Sequence, residues 1–281
     1  MAEPDAGNEA RDIGDAVAAA WERHREQLFE DQRAVSEWLV DQVGPRPGRT
    51  ILELAAGPGE TGFLVAERVG AEGHLISTDV SPRMIDAACR GAEARGLSNV
   101  ECRVMDAQQL DLPDASVDGV LSRFGVMLMP EPERALHEAR RVLRDGGRLA
   151  YSVWRPPDRN PWLTTFVGAI AQSGHAPLGD PFGATGPFSL AAEEVNRELL
   201  AAAGFSDVRV EEIESAFRFD DVDGYWNLQS EVAGPVAVLL ASLAPDEVDE
   251  IRTALEPAVE PFRSNDGLAM PSLAVVVSAQ S

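Results

Sequence analysis

The chain has 281 residues, of which 44% are hydrophobic and 25% are charged, and its 24 glycines and 19 prolines follow no period. This length and composition are typical of globular proteins and exclude a disulfide-rich miniprotein, a fibre and bulk disorder. The net charge is −23, and every basic residue is arginine because the sequence contains no lysine. So negative a surface repels phosphate backbones and anionic lipid headgroups, which makes nucleic acid and anionic membranes poor candidate partners.

Missing residue types exclude further kinds of chemistry. Without lysine there is no Schiff-base lysine and no phosphate-binding P-loop lysine. The two cysteines, Cys89 and Cys102, form no CxxC pair and lie near no histidine at metal-ligand spacing, so no metal site is predicted. The N-terminus lacks an apolar signal region, and the run at 236–244 is shorter than the ~20 residues of a membrane span. We expect a cytoplasmic monomer or homodimer.

Residues 1–48 are predicted to form a tail and a helical cap, ahead of a Rossmann-like domain at 49–281. The first dozen residues are polar and suggest a frayed tail. From about Ile13 to Val43, apolar residues recur mostly at three- and four-residue steps, which indicates helices that end at Gly44.

After Gly48, short apolar runs alternate with helical patterns, which predicts strand–helix–strand units and a parallel sheet. The predicted strands of this region are Thr50–Ala55, Leu75–Asp79, Val100–Met105, Val117–Ser122 and Arg148–Trp154. Helices are predicted to begin at Ser81-Pro82 and at Pro130–Pro132, the second ending at Gly146-Gly147.

The pattern beyond Trp154 is weaker. It predicts a helix from Phe188 to Gly204 and two further strands, at Val208–Glu212 and Leu273–Ser278. The helical stretch 221–263 between these strands is too long for a plain connection, so we assign it as a lid insertion or part of a substrate pocket.

The segment Ile51–Gly62, ILELAAGPGETG, predicts a buried strand, a glycine-rich turn and a helix beginning near Thr61. Glycines in such a turn let a ligand approach the backbone where a Cβ would block it. The segment satisfies GxGxxG, but a lone match is a weak signal, and a tight turn without a ligand is the alternative interpretation.

Carboxylates near the predicted strand ends bear on the choice of cofactor. Asp79 follows Gly59 by 20 residues, where a carboxylate accepts both ribose hydroxyls of either NAD or S-adenosylmethionine. Glu53 precedes the glycines and Asp106 follows the third strand. Negative charge repels a pyrophosphate but suits an ammonium and a sulfonium, so these residues favour S-adenosylmethionine over NAD.

Residues from about Thr50 to Trp154 resemble the class I S-adenosylmethionine-dependent methyltransferases, particularly the ubiquinone/menaquinone-biosynthesis type. The matching motifs, in order, are LELAAGPGETG, ISTDVSPRMIDAA, RVMDAQQLDLPDASVDGVLSRFG and ALHEARRVLRDGGRLAYSVW. The resemblance implies an α/β fold with a doubly wound seven-stranded sheet whose last strand is antiparallel. It also implies in-line methyl transfer to a small molecule, and the tryptophan-bearing cap favours a hydrophobic one.

For the methionine end of the cofactor, the resemblance implies roles for one strand end and the turn. Glu53 would lie near the methionine amino group, and the backbone around Ala55, Gly57 and Gly59 would lie against the methionine moiety. The Ser122 carbonyl would hold the ammonium group. Ala55 departs from the family pattern, which most often has glycine, and its methyl group is tolerable if φ is negative there.

For the adenosine end, the resemblance implies that Asp79 binds the ribose hydroxyls and that Val80 packs against the adenine. Asp106 would accept a hydrogen bond from the adenine amino group, and the Ala107 N–H would reach a ring nitrogen.

A general base is needed only when the acceptor must lose a proton to become nucleophilic. His24 and His175 are weak candidates for that role. Some small-molecule relatives carry histidines just after the fourth strand, where this chain has Met127 and Leu128, which weakens base-assisted O-methylation. Two alternatives stay open: an S-adenosylmethionine-binding enzyme without methyl transfer, such as a cyclase, and an NAD-dependent oxidoreductase.

Overall fold

A computed structural model describes residues 6–176 and 186–281, which contain an eight-stranded sheet with helices around it. The strands are β1 Thr50–Glu53, β2 His74–Asp79, β3 Val100–Val104, β4 Val117–Arg123, β5 Leu143–Trp154, β6 Ser206–Phe219, β7 Arg263–Ser264 and β8 Gly267–Gln280. Their order is β3-β2-β1-β4-β5-β8-β6, with the two-residue β7 paired to β8. Strands β1 to β5 pair in parallel, and β8 is antiparallel to both β5 and β6. The predicted fold class is therefore confirmed.

The helices of the described residues fall into three groups along the chain. They are α1 Ala6–Arg23, α2 Arg25–Glu30, α3 Arg33–Val43, α4 Glu60–Val69, α5 Pro82–Ala94, α6 Pro132–Val142, α7 Pro161–Gln172, α8 Glu193–Ala202, α9 Val222–Val232, α10 Gly234–Ser242 and α11 Pro245–Val259. Helices α1 to α3 precede the sheet, α4 to α8 connect its strands, and α9 to α11 lie between β6 and β7. Within the described ranges, no helix has both the length and the apolar character needed to cross a membrane.

Several boundaries differ from the sequence prediction. Helix α1 begins at Ala6, so the described part of the predicted tail is helical, while residues 1–5 lie outside the described residues. Helix α6 ends at Val142, before the glycines, because Leu143 already pairs with Val117 of β4. Helix α8 starts at Glu193 rather than Phe188, whose buried side chain lies in a turn.

The core is continuous across the sheet, and β8 has the longest run of buried residues. Residues 273–279 of β8 are all almost inaccessible, because this strand lies between β5 and β6. Helix α3 packs against β4, β5 and β8, and α5 packs against β2 and β3. This packing leaves the carboxyl ends of β1 to β5 to be covered by the connections and by the cap.

The N-terminal helices and the insertion contact each other. Helix α1 packs against α5, α9 and α10. The indole Nε1 of Trp21 donates a hydrogen bond to the carbonyl oxygen of Val232 at the end of α9, at 3.0 Å. The cap and the insertion thus form one connected layer.

Candidate cofactor and acceptor site

The carboxyl ends of four neighbouring strands bring the predicted site residues together. Glu53 ends β1, Asp79 ends β2 and Ser122 is the last residue but one of β4, while Asp106 follows β3 by two residues. Because these strands are parallel and adjacent, all four residues lie along one edge of the sheet. Open α/β sheets bind ligands at this edge.

The glycine-rich turn between β1 and α4 depends on two glycines for different reasons. Gly57 has φ +55°, and a Cβ built there meets nothing within 4 Å, so space is open above the turn. Gly59 has φ +90°, and its Cβ would lie 2.7 Å from the Phe63 ring and 3.2 Å from the Ala88 Cβ. Gly57 therefore leaves room for a ligand, whereas Gly59 is required by packing between α4 and α5.

Ala55 adopts a left-handed backbone conformation, with φ 50°, so the negative φ that would make its methyl group tolerable is not found. For a residue with a Cβ this costs about 1–2 kcal/mol. The methyl group uses space that Gly125 leaves free, since a Cβ at Gly125 would lie 2.5 Å from the Ala55 Cβ. The lack of a side chain at Gly125 therefore makes room for the methyl group of Ala55. The sequence does not indicate this pairing, because the two residues lie on different loops.

Asp79 holds the turn through backbone hydrogen bonds. Its Oδ2 accepts from the Gly57 N–H and its Oδ1 from the Ser81 N–H, both at 2.9 Å. Burial raises the pKa of Asp79, the hydrogen bonds from Ser81 and Gly57 lower it, and the nearby Asp15 raises it further. Each carboxylate oxygen retains a second lone pair for a ligand hydroxyl.

Asp15 on α1 was not predicted as part of this edge. Its Oδ1 accepts a hydrogen bond from the Ser81 hydroxyl at 2.5 Å, and Ser81 caps helix α5 by accepting from the Met84 N–H. The cap thus reaches the start of α5, two residues beyond Asp79, and adds a carboxylate to the edge. No local pattern in α1 marks Asp15, because only the tertiary fold brings it to Ser81.

Glu53 is buried beneath the start of α4 and is hydrogen-bonded through both carboxyl oxygens. Its Oε1 accepts from the Gly62 N–H at 2.8 Å, and its Oε2 accepts from the Ser77 hydroxyl at 3.0 Å. Burial raises the pKa of this carboxyl to about 8, against the opposing effect of the hydrogen bonds and of Arg123. Burial between β2 and α4 thus favours the neutral form of Glu53, which the sequence pattern alone does not predict. The acidic character of the edge comes from Asp15, Asp79 and Asp106.

Asp106 is oriented by its own loop. Its Oδ1 accepts hydrogen bonds from the backbone and side-chain nitrogens of Gln108, at 2.8 and 3.2 Å. The Met105 N–H donates to the Asp79 carbonyl at 3.0 Å, which ties this loop to the end of β2. Ala107 is buried and Val80 is half-buried. The four residues predicted for the adenosine end therefore occupy adjacent loops.

Ser122 provides a test of whether this edge fits a ligand with polar groups. Its hydroxyl is buried and has no hydrogen-bond partner among the described residues. A Cβ at Gly125 would lie 2.7 Å from it, so the hydroxyl lies near Ala55 and the turn. Buried polar groups are nearly always hydrogen-bonded, so an unpartnered hydroxyl beside an open turn fits a polar ligand. With the carboxylates around it, the edge fits a cationic adenosine compound.

An arginine of the cap also binds the turn. Arg25 on α2 donates from Nη2 to the Pro58 carbonyl at 2.8 Å and forms an ion pair with the buried Glu60. Arg95 pairs with the same carboxylate at 2.5 Å, and the guanidinium carbons of Arg25 and Arg95 lie 6.0 and 4.6 Å from the Phe63 ring centroid. The sequence gives no signal for this contact, which joins residues 33 positions apart.

Aromatic side chains continue from the ends of β4 and β5 towards the insertion. Phe124 stacks on Trp154 with ring centroids 3.8 Å apart, and Trp162 lies 5.1 Å from Trp154. The Tyr225 hydroxyl of α9 donates to the Trp162 carbonyl at 2.7 Å. We call this set, together with Phe166 and Trp226, whose centroids lie 5.2 Å apart, the aromatic wall.

The two histidines predicted as weak base candidates both face carboxylates of the insertion. His24 Nε2 lies 2.8 Å from Glu231 Oε2, and His175 Nε2 lies 3.7 Å from Glu247 Oε1. Each imidazole thus links another part of the fold to α9 or α11. These contacts give each histidine a structural role, and a role as a base stays a prediction.

Comparison with known proteins agrees with this geometry. A family described as "Methyltransferase domain" matches residues 51–147. The chain is 35% identical to a demethylmenaquinone methyltransferase of Thermus thermophilus, over 59% of this chain and 79% of that protein. It is 32% identical to a nocamycin O-methyltransferase of Saccharothrix syringae, over 70% of this chain and 72% of that protein.

Two other similarities are either shorter or lower in sequence identity. An arsenite methyltransferase of Halobacterium salinarum is 42% identical over 106 residues, but the match spans 38% of this chain and only 27% of that protein. Among solved structures, the YcgJ protein of Bacillus subtilis has a TM-score of 0.60 and 18% identity, covering 89% of this chain and 98% of that one, which shows a shared fold.

The fold, the turn and these relatives define the class of protein. The chain belongs to the class I S-adenosylmethionine-dependent methyltransferases. Within that class it is similar to the ubiquinone/menaquinone-biosynthesis type, and its cofactor is S-adenosylmethionine.

Proposed function

We propose that this methyltransferase acts on a small, hydrophobic organic molecule bound between the sheet edge, the aromatic wall and helices α9 to α11. The observation that carries the proposal is the open glycine turn, held by Asp79 beside the unpartnered Ser122 hydroxyl. Two relatives are named as methyltransferases of nocamycin and of demethylmenaquinone, which supports a small organic acceptor.

The methionine end of the cofactor is proposed to lie on the turn. The backbone of Ala55, Gly57 and Gly59 would contact it, and the Ser122 carbonyl and hydroxyl would bind its polar end. Glu53 would support the turn indirectly, because its carboxyl accepts a hydrogen bond from the Gly62 N–H in the first turn of α4.

The adenosine end is proposed to lie over the ends of β2 and β3. Asp79 would accept from the ribose hydroxyls with its remaining lone pairs, and Val80 would pack against the adenine ring. Asp106 and the Ala107 N–H would bind the adenine edge, where Gln108 already orients the Asp106 carboxylate.

Bound S-adenosylmethionine supplies an electrophilic methyl group on a sulfonium. The chain's contribution is to hold the acceptor in line and exclude water, and such positioning can supply on the order of 7–11 kcal/mol of the barrier. We propose that the cap at 1–48 and the lid insertion at 221–263 provide this enclosure. Met127 and Leu128 follow β4 where some relatives have histidines, which favours an acceptor carbon or nitrogen that is already nucleophilic.

The proposal is tested by supplying methyl-labelled S-adenosylmethionine together with demethylmenaquinone and a panel of phenolic, amine and enol acceptors. We expect labelled product from at least one acceptor, and much less from the Asp79→Ala variant. Binding of S-adenosylhomocysteine without transfer to any acceptor would instead favour a non-methylating role, and saturable binding of NAD alone would favour an oxidoreductase.

A further inference from the structure

Gln229 of α9 is a buried amide whose two ends both lack partners. It is fully inaccessible to solvent, and neither Nε2 nor Oε1 forms a hydrogen bond with any residue that the structure describes. Native proteins rarely leave such a group unsatisfied, because its desolvation is uncompensated. Gln229 therefore calls for a ligand group or an ordered water that offers both an acceptor and a donor.

Another buried glutamine of the same chain shows the contrast. Gln32 is 1% exposed, yet its Nε2 donates to the Ser272 hydroxyl at 3.2 Å and its Oε1 accepts from the Ser215 hydroxyl at 2.9 Å. The fold thus gives both ends of one buried glutamine amide a partner among its own side chains. Gln229 is different in having no such arrangement around it.

Gln229 lies on α9, one of the helices proposed above to enclose the methyl acceptor. Tyr225 and Trp226 lie one helical turn before it, on the same buried face of α9, and both contact Phe166 of the aromatic wall. Val232, one turn after it, accepts the hydrogen bond from Trp21 of the cap. Gln229 therefore lies between the aromatic wall and the cap, in the layer that stands over the strand ends.

We infer that Gln229 is a specificity-determining residue that binds the methyl acceptor through a paired hydrogen bond. Its Nε2 donates to an acceptor atom of the ligand, and its Oε1 accepts from an adjacent N–H or O–H. The ligand class is a flat, neutral compound with a donor beside an acceptor on one edge, such as a lactam, a carboxamide or a protonated carboxylic acid. A flat ligand suits a residue one helical turn after Trp226, whose ring centroid lies 5.2 Å from that of Phe166. This inference rests on the proposed function, whose acceptor it describes.

The probe is 2-quinolone, whose lactam presents an N–H beside a carbonyl, compared with 1-methyl-2-quinolone, in which the N–H is replaced. Dissociation constants are measured by equilibrium dialysis for the wild type, Gln229→Leu and Gln229→Met. We expect the wild type to bind 2-quinolone about tenfold more tightly than the methylated compound, as one well-placed hydrogen-bond pair implies. Both variants should lose this preference.

Stability provides the second measurement, with Gln32→Leu as the matched control. Replacing an unpartnered buried amide should raise the urea midpoint of Gln229→Leu, whereas Gln32→Leu should lower it and leave the quinolone preference intact. A lower midpoint for Gln229→Leu would assign Gln229 a structural role and overturn the inference. A wild type without the preference, or a preference that survives in both Gln229 variants, would overturn it as well.

Calorimetry with S-adenosylhomocysteine keeps this result separate from the proposed function. Wild type and Gln229→Leu should bind this compound equally, because Gln229 lies on α9 and the proposed cofactor residues lie at the strand ends. Failure of the quinolone test with normal S-adenosylhomocysteine binding would reject the inference alone. Absence of S-adenosylhomocysteine binding in the wild type would reject the proposed function.

Discussion

Glu53 shows how burial changes the role of a single residue. The sequence places a carboxyl group just before the glycine turn, and the natural expectation is a negative charge facing a cationic ligand. The structure instead buries the carboxyl beneath α4 with two hydrogen bonds, and its pKa is about 8. Through these hydrogen bonds the carboxyl joins β1, β2 and α4.

The Glu53→Gln variant tests this protonation state. The folded-state pKa of about 8 is above the ordinary 4.5, so folding favours the protonated form, and the wild type loses stability as pH rises from about 4.5 to 8. All other titratable groups are common to the wild type and Glu53→Gln, so the difference between their unfolding free energies isolates Glu53. Between pH 5 and pH 8.5, the free energy of unfolding of the wild type should fall by roughly 1–4 kcal/mol relative to Glu53→Gln, since one pKa unit corresponds to about 1.4 kcal/mol. Urea unfolding measures it, and parallel pH curves would show that Glu53 is ionised in the fold.

At the scale of an element, the β1–turn–α4 unit separates the packing role of one glycine from the ligand role of another. Gly57→Ala should lower stability by about 1–2 kcal/mol, because an alanine is strained in the left-handed conformation. No steric cost adds to this, since its Cβ would meet nothing within 4 Å. Gly59→Ala should cost more, about 2–4 kcal/mol, because its Cβ also collides with Phe63.

Calorimetry and urea unfolding on the two glycine variants distinguish the roles. Gly57→Ala should lose most of its affinity for S-adenosylhomocysteine while it remains folded, because the new methyl group occupies the space above the turn. Equal affinity for the wild type and Gly57→Ala would mean that no ligand lies on this turn.

The contact of α2 with the turn is a second element-scale feature. In Arg25→Leu, the Pro58 carbonyl loses its donor and the buried Glu60 keeps only Arg95. The expected loss is about 1–3 kcal/mol of stability, with weaker S-adenosylhomocysteine binding because the turn is no longer held from the cap. The control is Arg134→Leu, whose exposed pair with Glu131 should contribute less than about 1 kcal/mol. Similar losses in the two variants would contradict this role for Arg25.

At the scale of the whole molecule, the sequence predicts the sheet well where strands are buried on both faces. Strands β1, β2 and β4 are short, mostly buried apolar runs, and the helices α4 and α5 that follow β1 and β2 predict parallel pairing. Strand β3, VECRV, lies at the edge of the sheet and is only partly buried. Strand β6 extends well beyond the predicted Val208–Glu212, because its length is set by pairing with β8 and its exposed positions carry charged residues such as Glu214. Gly146 and Gly147 lie within β5 and do not end a helix as predicted. Glycine also occurs at irregular points of strands, so the glycine pair alone does not identify a helix end.

The candidate site is predictable to the same extent as the sheet topology. Glu53, Asp79, Asp106 and Ser122 come to one edge because each stands at or beside the end of a parallel strand. The contributions from Asp15, Arg25 and Gln229 could not be predicted, because each depends on how the cap or the insertion packs. Local sequence determines the positions at the strand ends, whereas tertiary contacts determine what covers them.

The most direct test of the central claim is a calorimetric titration of the purified protein with S-adenosylhomocysteine and, separately, with NAD. We expect one saturable site for S-adenosylhomocysteine and no heat with NAD. S-adenosylhomocysteine should bind Asp79→Ala at least about 30-fold more weakly, equivalent to about 2 kcal/mol, because the turn loses its anchor and the ribose its acceptor. The control Asp111→Ala, whose side chain is 95% exposed, should bind as the wild type does. Absence of heat with S-adenosylhomocysteine, or unchanged affinity in Asp79→Ala, would contradict the claim that this edge is the cofactor site.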